Sequence, residues 1–140
     1  MKQIVDNFEE KDMIKLEYHK KGEDVYVDGR QVLVRACHDA FVSYYNEKGE
    51  QGIILVKREA EPAKGYLWCL GGGIKKGIST IKSLERSIKE ESGLEVKEPH
   101  LINIKRCIWK GTPNKHIKER GLPDGIDDLI LIFTVKEEEI

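Results

Sequence analysis

A run of three glycines followed by one strongly patterned helix constrains the fold of this chain more than any other feature. The glycines are Gly71–Gly73, and the segment Ser79–Ser92 places apolar residues on one helical face at 3.6-residue spacing: Ile81, Leu84 and Ile88. Ser79 or Thr80 can cap the start of the helix, and Gly93 stands where a left-handed residue is favoured after its end. The sequence therefore predicts a strand, a glycine turn and a helix, in that order.

Further strands are predicted on both sides of this unit. They are runs rich in β-branched and aromatic residues: one longer strand over Val32–Ala36 and Ala40–Tyr45, and shorter ones at Ile53–Arg58, Tyr66–Trp68, Ile102–Trp109 and Leu129–Val135. Asn46–Gly49 is a predicted turn, and residues 111–125 form a loop that contains Gly and Pro. Residues 1–29 are interpreted as an N-terminal extension with a short hairpin. Because no linker or repeat divides the chain, we interpret residues 1–140 as a single domain with its core in residues 30–136.

The charge balance bears on the kind of partner. Lys and Arg total 24 against 25 Asp and Glu, which gives a formal net charge of −1. A protein that binds nucleic acid through its phosphates usually carries a basic excess, so we expect no nucleic-acid partner. The longest apolar run, Leu129–Phe133, is far too short to cross a bilayer, so we expect no membrane partner.

The cysteines and the start of the chain indicate the compartment. Cys37, Cys69 and Cys107 are spaced too widely for a zinc knuckle, and an odd count argues against a disulfide framework. We interpret them as free, buried thiols in a reducing environment. Since Met1–Glu10 also lacks a charged-then-apolar targeting segment, we expect a cytoplasmic protein.

Two adjacent glutamates late in the helix, Glu90 and Glu91, are the strongest candidates for metal ligands. Mg²⁺ binds through one or two carboxylates and keeps its other positions for water and phosphate oxygens. On a helical wheel Glu91 borders the apolar stripe, so a cation beside it would face the glycine turn. Glycines there let backbone carbonyl and amide groups approach a ligand closely. Paired charges also occur at solvated helix ends, so the glycine turn is what favours a metal site.

This stretch resembles the Nudix hydrolase family, whose signature is G-x5-E-x7-R-E-U-x-E-E-x-G-U, with U an aliphatic residue. Aligned on Gly93, the chain supplies seven signature residues between positions 72 and 94: Gly72, Arg86, Ile88, Glu90, Glu91, Gly93 and Leu94. The resemblance covers about three quarters of the chain. It implies an α/β/α sandwich around a mixed sheet, Mg²⁺ or Mn²⁺ as cofactor, and a small nucleotide substrate. Residues 62–68 are also similar to the branch that hydrolyses GDP-sugars.

The same resemblance implies roles for individual residues. Glu90 and Glu91 are expected to bind the metal, together with a backbone carbonyl of Gly71. Glu91 and Arg86 then belong to the catalytic centre, where Arg86 holds the helix carboxylates and the glycine loop together by charge-assisted hydrogen bonds. The expected contacts to the substrate come from the glycines and the end of the preceding strand: Gly72, Gly73 and Arg58.

Two glutamates of the signature are replaced in this chain, by Ile78 and Ser87. In the family, the second of them contributes to the metal site, and it would lie one helical turn before Glu91 on the same face. Glu85 cannot take its place, because it points roughly 160° away around the helix. Family members also continue into another strand and a helix beyond Leu129–Val135. We therefore expect an uncovered apolar sheet face and a homodimer, unless the N-terminal segment covers that face.

The general base is open between two candidates. His116 lies in a loop with several basic residues, which we interpret either as ordinary solvated surface or as a lid that meets phosphates. The run Glu137–Glu139 follows the last predicted strand. A catalytic triad of His38, Asp39 and Ser43 is not expected, because strand alternation puts His38 on the face opposite the other two.

The sequence is best explained by an α/β, Nudix-type domain that lacks the usual C-terminal helix. The expected activity is Mg²⁺-dependent hydrolysis of a nucleoside diphosphate linked to another group, such as a nucleotide sugar, at or next to the diphosphate. The metal would polarise the diphosphate and lower the pKa of an attacking water. The alternative is a catalytically impaired Nudix-like domain that binds a nucleotide or an ADP-ribose-type ligand as a sensor.

Overall fold

A computed structural model of the chain describes residues 33–59, 63–110, 119–121 and 125–137. Its elements, in chain order, are seven strands and one helix: β1 (Arg35–Tyr45), β2 (Gln51–Ile54), β3 (Val56–Lys57), β4 (Leu67–Trp68), β5 (Leu70–Gly73), α1 (Thr80–Ser92), β6 (Val96–Trp109) and β7 (Ile126–Glu137). Within those ranges, no helix has the length and the apolar character needed to cross a membrane. The predicted N-terminal hairpin lies outside the described residues.

The main sheet is mixed, as the α/β class predicts. Its strands follow the order β2-β1-β7-β6, with β1 parallel to β7 and the other pairs antiparallel. Strand β5 pairs with the first half of β1, from Cys37 to Ala40, while β2 pairs with the second half, from Val42 to Tyr45. Both short strands therefore lie on the same edge of β1. Helix α1 is the next element after β5. Its C-terminal turn lies at this edge, because Glu91 contacts Gly71.

Helix α1 begins and ends where the sequence predicts. Ser79 is the N-cap, and its hydroxyl accepts the N–H of Lys82 at 3.2 Å. Gly93 adopts the left-handed conformation, with φ of 75°, and its N–H donates to the Lys89 carbonyl at 2.8 Å. The apolar face of the helix packs on one face of the sheet and forms the buried core: Ala40, Val42, Leu70, Leu84, Ile88, Val96, Phe133 and Val135.

The two faces of the sheet are covered differently. In the β3–β4 pair, Trp68 contacts Trp109 of β6 edge-to-face at 5.8 Å, and Val56 packs against the buried core. Large apolar side chains that stay exposed on β6 and β7 include Ile104, Ile108 and Leu129. By their strand register these three side chains lie on the same face of the sheet as α1. Leu129 and the buried Phe133 are an even number of residues apart on β7, so they point to the same side. The exposed apolar surface thus includes a region on the face of α1, and not only on the opposite face where it was expected.

Two segments differ from the sequence-based prediction. The longer strand predicted over Val32–Ala36 and Ala40–Tyr45 is present as β1, but Ile53–Arg58 divides at Leu55 into β2 and β3, which belong to different sheets. Gly71–Gly73, predicted as a turn, form most of β5, and the turn follows at Lys76–Gly77. Glycines in a strand mark a close approach of another group rather than a bend, and that approach defines the site described next.

Candidate active site at the glycine strand

Strand β5 presents backbone polar groups at the edge of the sheet. Ile74 donates its N–H to the Ala36 carbonyl at 3.0 Å in the same ladder that pairs Gly71 with Asp39. Antiparallel pairs alternate between bonded and non-bonded positions, so the N–H and C=O groups of Gly71 and Gly73 point away from β1. The Lys75 ammonium lies 3.4 Å from the Gly73 carbonyl. This edge is the backbone cradle that the glycine run predicts.

Glu91 is the helix carboxylate that reaches this edge. It accepts a hydrogen bond from the N–H of Gly71 and remains partly exposed. Burial raises the pKa of Glu91 above its ordinary value, and the nearby Asp39 carboxylate raises it further. Arg58 and Lys75 act in the opposite direction, as does the Gly71 hydrogen bond. Glu91 is therefore placed as expected, next to Gly71.

Glu90 lies on a different side of the helix end. Its carboxylate accepts a hydrogen bond from Arg86 at 3.1 Å, one helical turn earlier, and both side chains are exposed. The charge-assisted contact expected of Arg86 is thus made with Glu90 rather than with Glu91. The joint role of Glu90 and Glu91 as metal ligands stays a prediction.

Asp39 is the residue that sequence reasoning missed at this site. It faces Gly71 across the β1–β5 ladder, and a Cβ added to Gly71 would lie 2.7 Å from Asp39 Oδ1 and would overlap the carbonyl oxygen of His38. The indole N–H of Trp68 donates to its carboxylate. Burial raises the pKa of Asp39 to about 6, with Asp128 adding to the shift. The alternation that separates Asp39 from His38 was readable in the sequence, but its pairing with Gly71 was not.

Arg58 and Lys75 supply the positive charge at the same place. Both lower the pKa of Glu91, and Arg58 also lowers that of Asp39, so each lies close enough to act on these carboxylates. The Arg58 guanidinium carbon lies 5.9 Å from the centre of the Trp68 ring. Arg58, a predicted substrate contact, therefore shares the glycine edge with Glu91. Arginine and lysine so placed suit the oxygens of a phosphate group.

Ser87 stands where the family signature has a glutamate, and it is buried. Its Oγ lies 3.6 Å from the position that a Cβ would take on Gly72, and it has no hydrogen-bond partner among the described residues. A glutamate at this position would point at the underside of the glycine strand, as the helical spacing predicts. In place of a carboxylate, Ser87 supplies a buried hydroxyl that is unsatisfied. Such hydroxyls are uncommon, because leaving a buried polar group without a hydrogen bond costs stability.

The structure does not describe the two candidates for the general base. His116, Glu138 and Glu139 lie outside the described residues, as does the side chain of Glu137. His38 and Asp39 point to opposite faces of β1, as predicted, since His38 shares a 2.7 Å hydrogen bond with Ser83 of α1. Ser43 donates to the Val135 carbonyl at 3.3 Å. Neither contact belongs to a triad.

A divalent cation is compatible with the groups at this edge. In the described ranges, no three His, Cys, Asp or Glu side chains converge as a metal-ligand cluster. Mg²⁺, however, needs only one or two carboxylates, with phosphate oxygens and water as its other ligands. Asp39 and Glu91 supply two carboxylates on either side of a glycine that no side chain could replace. The donor set therefore fits a cation that binds together with a phosphorylated ligand.

Comparison with known proteins identifies the fold. No family model and no curated protein matches the chain. Among solved structures, a NUDIX hydrolase from Nitrosomonas europaea superposes with a TM-score of 0.53 at 17% identity, covering 77% of this chain and 62% of that one. A MutT/nudix family protein from Enterococcus faecalis gives 0.53 at 16% identity over 83% of this chain and 43% of its own.

A third structure is Shewanella oneidensis NrtR complexed with a 27mer DNA. Its TM-score is 0.52 at 15% identity, over 71% of this chain and 41% of that chain. The chain thus spans between 41% and 62% of the length of these structures. At such identities the likeness establishes the fold alone. The fold is of the Nudix type, as the resemblance predicted.

Proposed function

We propose, starting from this Nudix-type fold, that the chain is a Mg²⁺- or Mn²⁺-dependent hydrolase of a nucleoside diphosphate linked to another group. One observation carries the proposal. The Glu91 carboxylate accepts the N–H of Gly71 beside a second carboxylate, that of Asp39, with Arg58 close to both and Lys75 close to Glu91. Carboxylates held at a raised pKa beside cations and a backbone cradle are typical of a functional site.

The residues of the site divide the work of holding a diphosphate. Arg58 and Lys75 would neutralise phosphate oxygens, and the outward N–H and C=O groups of the glycine strand would fix the phosphate chain at the sheet edge. When bound, the cation would polarise a phosphoryl oxygen and lower the pKa of a water ligand. Arg86 would position the end of α1 by holding Glu90. His116 and Glu137–Glu139 remain the candidates for the general base.

A second function, a ligand-binding sensor, is favoured by Ser87. Without a glutamate there, the site has one negative charge fewer and should hold fewer or weaker cations. Glu90 is already bound by Arg86, so it supplies no free replacement. A domain of this kind would bind a nucleotide or an ADP-ribose-type ligand without cleaving it. The phosphate-binding features of the site would be the same.

The partners expected from the sequence are also proposals. The near-zero net charge supports a small-molecule ligand over nucleic acid. One of the similar structures, however, is a DNA complex, so electrophoretic mobility with duplex DNA is a direct check. Exposed Ile104, Ile108 and Leu129 support a homodimer. Light scattering over a wide concentration range would test it, and a monomer throughout would contradict it. The cytoplasmic location likewise stays a proposal.

Turnover with a panel of substrates tests the hydrolase against the sensor. The panel contains nucleotide sugars, dinucleotides, ADP-ribose and nucleoside triphosphates, each with Mg²⁺, Mn²⁺ or EDTA. We expect slow cleavage, faster with Mn²⁺ than with Mg²⁺ and abolished by EDTA. Ser87→Glu should raise the rate about tenfold, which corresponds to about 1.4 kcal/mol of barrier. If both proteins bind a nucleotide in EDTA and neither cleaves any compound, the chain is a sensor.

A further inference from the structure

The site has lost one carboxylate from the helix and gained another from the sheet. Ser87 contributes only a buried hydroxyl beneath Gly72. Asp39, which comes from β1, lies on the opposite face of that strand from His38 and directly across from Gly71. The two positions flank the same glycine strand from different directions. The glycine strand therefore has a carboxylate from β1 beside it, although the helix position of Ser87 supplies none.

Asp39 and Glu91 meet at one residue. Glu91 accepts the N–H of Gly71, and Asp39 Oδ1 occupies the space that a side chain on Gly71 would fill. Because the N–H and C=O groups of Gly71 point away from β1, this edge is open to a ligand on the side where Glu91 binds. The two carboxylates are close enough for each to disfavour the charge of the other. A divalent cation between them would remove that repulsion.

We infer that Asp39 is a cation ligand and that, with Glu91, it forms a divalent-cation site built across Gly71. The inference rests on the proposed function, since it names the residue that supplies the second carboxylate of that site. The cation would be Mg²⁺ or Mn²⁺, because its ligands are carboxylate and carbonyl oxygens without sulfur or imidazole.

A purely structural role explains Asp39 less well. It accepts the indole N–H of Trp68, and Arg35 and Arg58 lie near it. An asparagine would accept that hydrogen bond equally well without the cost of placing a charge in a buried position. Arg35 is also paired with Asp128 at 3.4 Å, so it does not depend on Asp39 for a partner. The carboxylate itself therefore needs a reason, and a cation supplies one.

Asp39→Asn separates the two roles. It keeps a hydrogen-bond acceptor for Trp68 and removes the negative charge. Binding of Mn²⁺ alone is measured by the electron paramagnetic resonance signal of free Mn²⁺, for wild type, Asp39→Asn, Glu91→Gln and one matched helix control, Glu85→Gln. We expect Asp39→Asn and Glu91→Gln to weaken Mn²⁺ binding at least about tenfold, since even loss of a ligand's outer partner has that effect. The control should bind as wild type does.

A measurement on the wild type tests the inference even if one of the variants does not fold. The indole N–H of Trp68 is bonded to Asp39, so its nuclear magnetic resonance signal should shift when Mg²⁺ is added, together with the amide signal of Gly71. If the Gly71 signal shifts and the Trp68 signal does not, Asp39 is not a ligand.

The outcomes distinguish this inference from the proposed function. Cation-dependent cleavage by the wild type, with Mn²⁺ binding unchanged in Asp39→Asn, overturns the role of Asp39 and leaves the hydrolase intact. A weakening in Glu85→Gln equal to that in Asp39→Asn also overturns it, because a general loss of negative charge would then explain both. If the wild type binds no Mn²⁺ and cleaves nothing with any cation, the proposed function and this inference both fail.

Discussion

Two groups of charged residues, at opposite edges of the sheet, are stabilised in opposite ways. Between β6 and β7, Arg106 donates to both oxygens of Asp127, at 2.8 and 2.6 Å, and both side chains are exposed. This hydrogen-bonded partner lowers the pKa of Asp127. At the glycine strand, burial raises the pKa of both Asp39 and Glu91, although Arg58 is close to each. The same kinds of residue therefore give one exposed, hydrogen-bonded pair and one cluster in which burial disfavours the charged carboxylates.

The difference separates structural charge from functional charge. The Arg106–Asp127 pair is complete without a ligand, and it is of the surface type that contributes little to stability. The Asp39–Glu91 cluster lies at a close approach to Gly71, where burial disfavours the charged form of both carboxylates. A protein keeps such an arrangement only where the surrounding fold stabilises it, which is typical of binding sites. Four changes test this contrast.

Gly71→Ala should have the largest effect. The new Cβ would overlap the His38 carbonyl and lie 2.7 Å from Asp39 Oδ1, so β5 and β1 could not keep their register. We expect the free energy of unfolding to fall by about 3 kcal/mol, the upper part of the range for overpacking. Urea denaturation in EDTA measures it.

Gly73→Ala is the matched control for that change. Nothing lies within 4 Å of the position that its Cβ would take. The free energy of unfolding should change by no more than about 1 kcal/mol, in either direction. Equal losses in the two variants would show that the close approach at Gly71 is not what matters.

Ser87→Glu should have the next largest effect, and its sign should depend on the cation. In EDTA, a carboxylate at this buried position should cost about 2 kcal/mol of unfolding free energy. Mn²⁺ should recover most of that loss, because a bound cation stabilises only the folded protein. Ser87→Gln has the same size without the charge, so it should lose stability that Mn²⁺ does not restore. The same response to Mn²⁺ in both variants would argue against a cation at the glycine strand.

These contrasts also explain how far the sequence alone could go. Helix α1, with its Ser79 cap and its Gly93 end, follows from local patterning and capping chemistry, and it was predicted correctly. The contact of Glu91 with Gly71 follows from the helical wheel. The division at Leu55 could not be predicted, because a continuous apolar run carries no mark of the point where a strand changes sheets.

The importance of Asp39 was likewise hidden, for a different reason. Its partner Gly71 lies 32 positions away, and only the register of the β1–β5 ladder brings the two together. Glu90 and Glu91 also have different partners, because Arg86 donates a hydrogen bond to Glu90. A signature lists both glutamates at fixed spacing, but it does not state which of them a neighbouring arginine binds. Long-range register and competition between partners are therefore what the sequence left undetermined.

His38 tests the face of β1 opposite Asp39. Burial lowers the pKa of His38 below its ordinary value of 6.5, and Lys75 and Arg35 lower it further. The unfolded chain therefore takes up a proton at a pH where the folded chain does not. The free energy of unfolding should have its highest value above pH 6.5 and should fall as the pH drops below 6.5. It should level off below the pKa that His38 has in the folded protein. His38→Gln should remove this slope, whereas a change of the exposed His100 to Gln should keep it. A slope that survives in His38→Gln would assign the titration to another group.

Removing the satisfied pair should have the smallest effect of the four. Arg106→Gln and Asp127→Asn each break an exposed contact whose charges water and salt already screen. Since Arg106 lowers the pKa of Asp127 below 3.8, its contribution is present above that pH and is lost as the pH falls through the folded value. Thermal denaturation at neutral pH should therefore detect only a slight loss, smaller than that of any change at the glycine strand, and 1 M NaCl should abolish it. Mn²⁺ binding should stay as in wild type. A large loss of thermal stability that persists in 1 M NaCl would mean that this pair stabilises the fold as much as the packing at Gly71 does. The contrast between the two edges of the sheet would then be wrong.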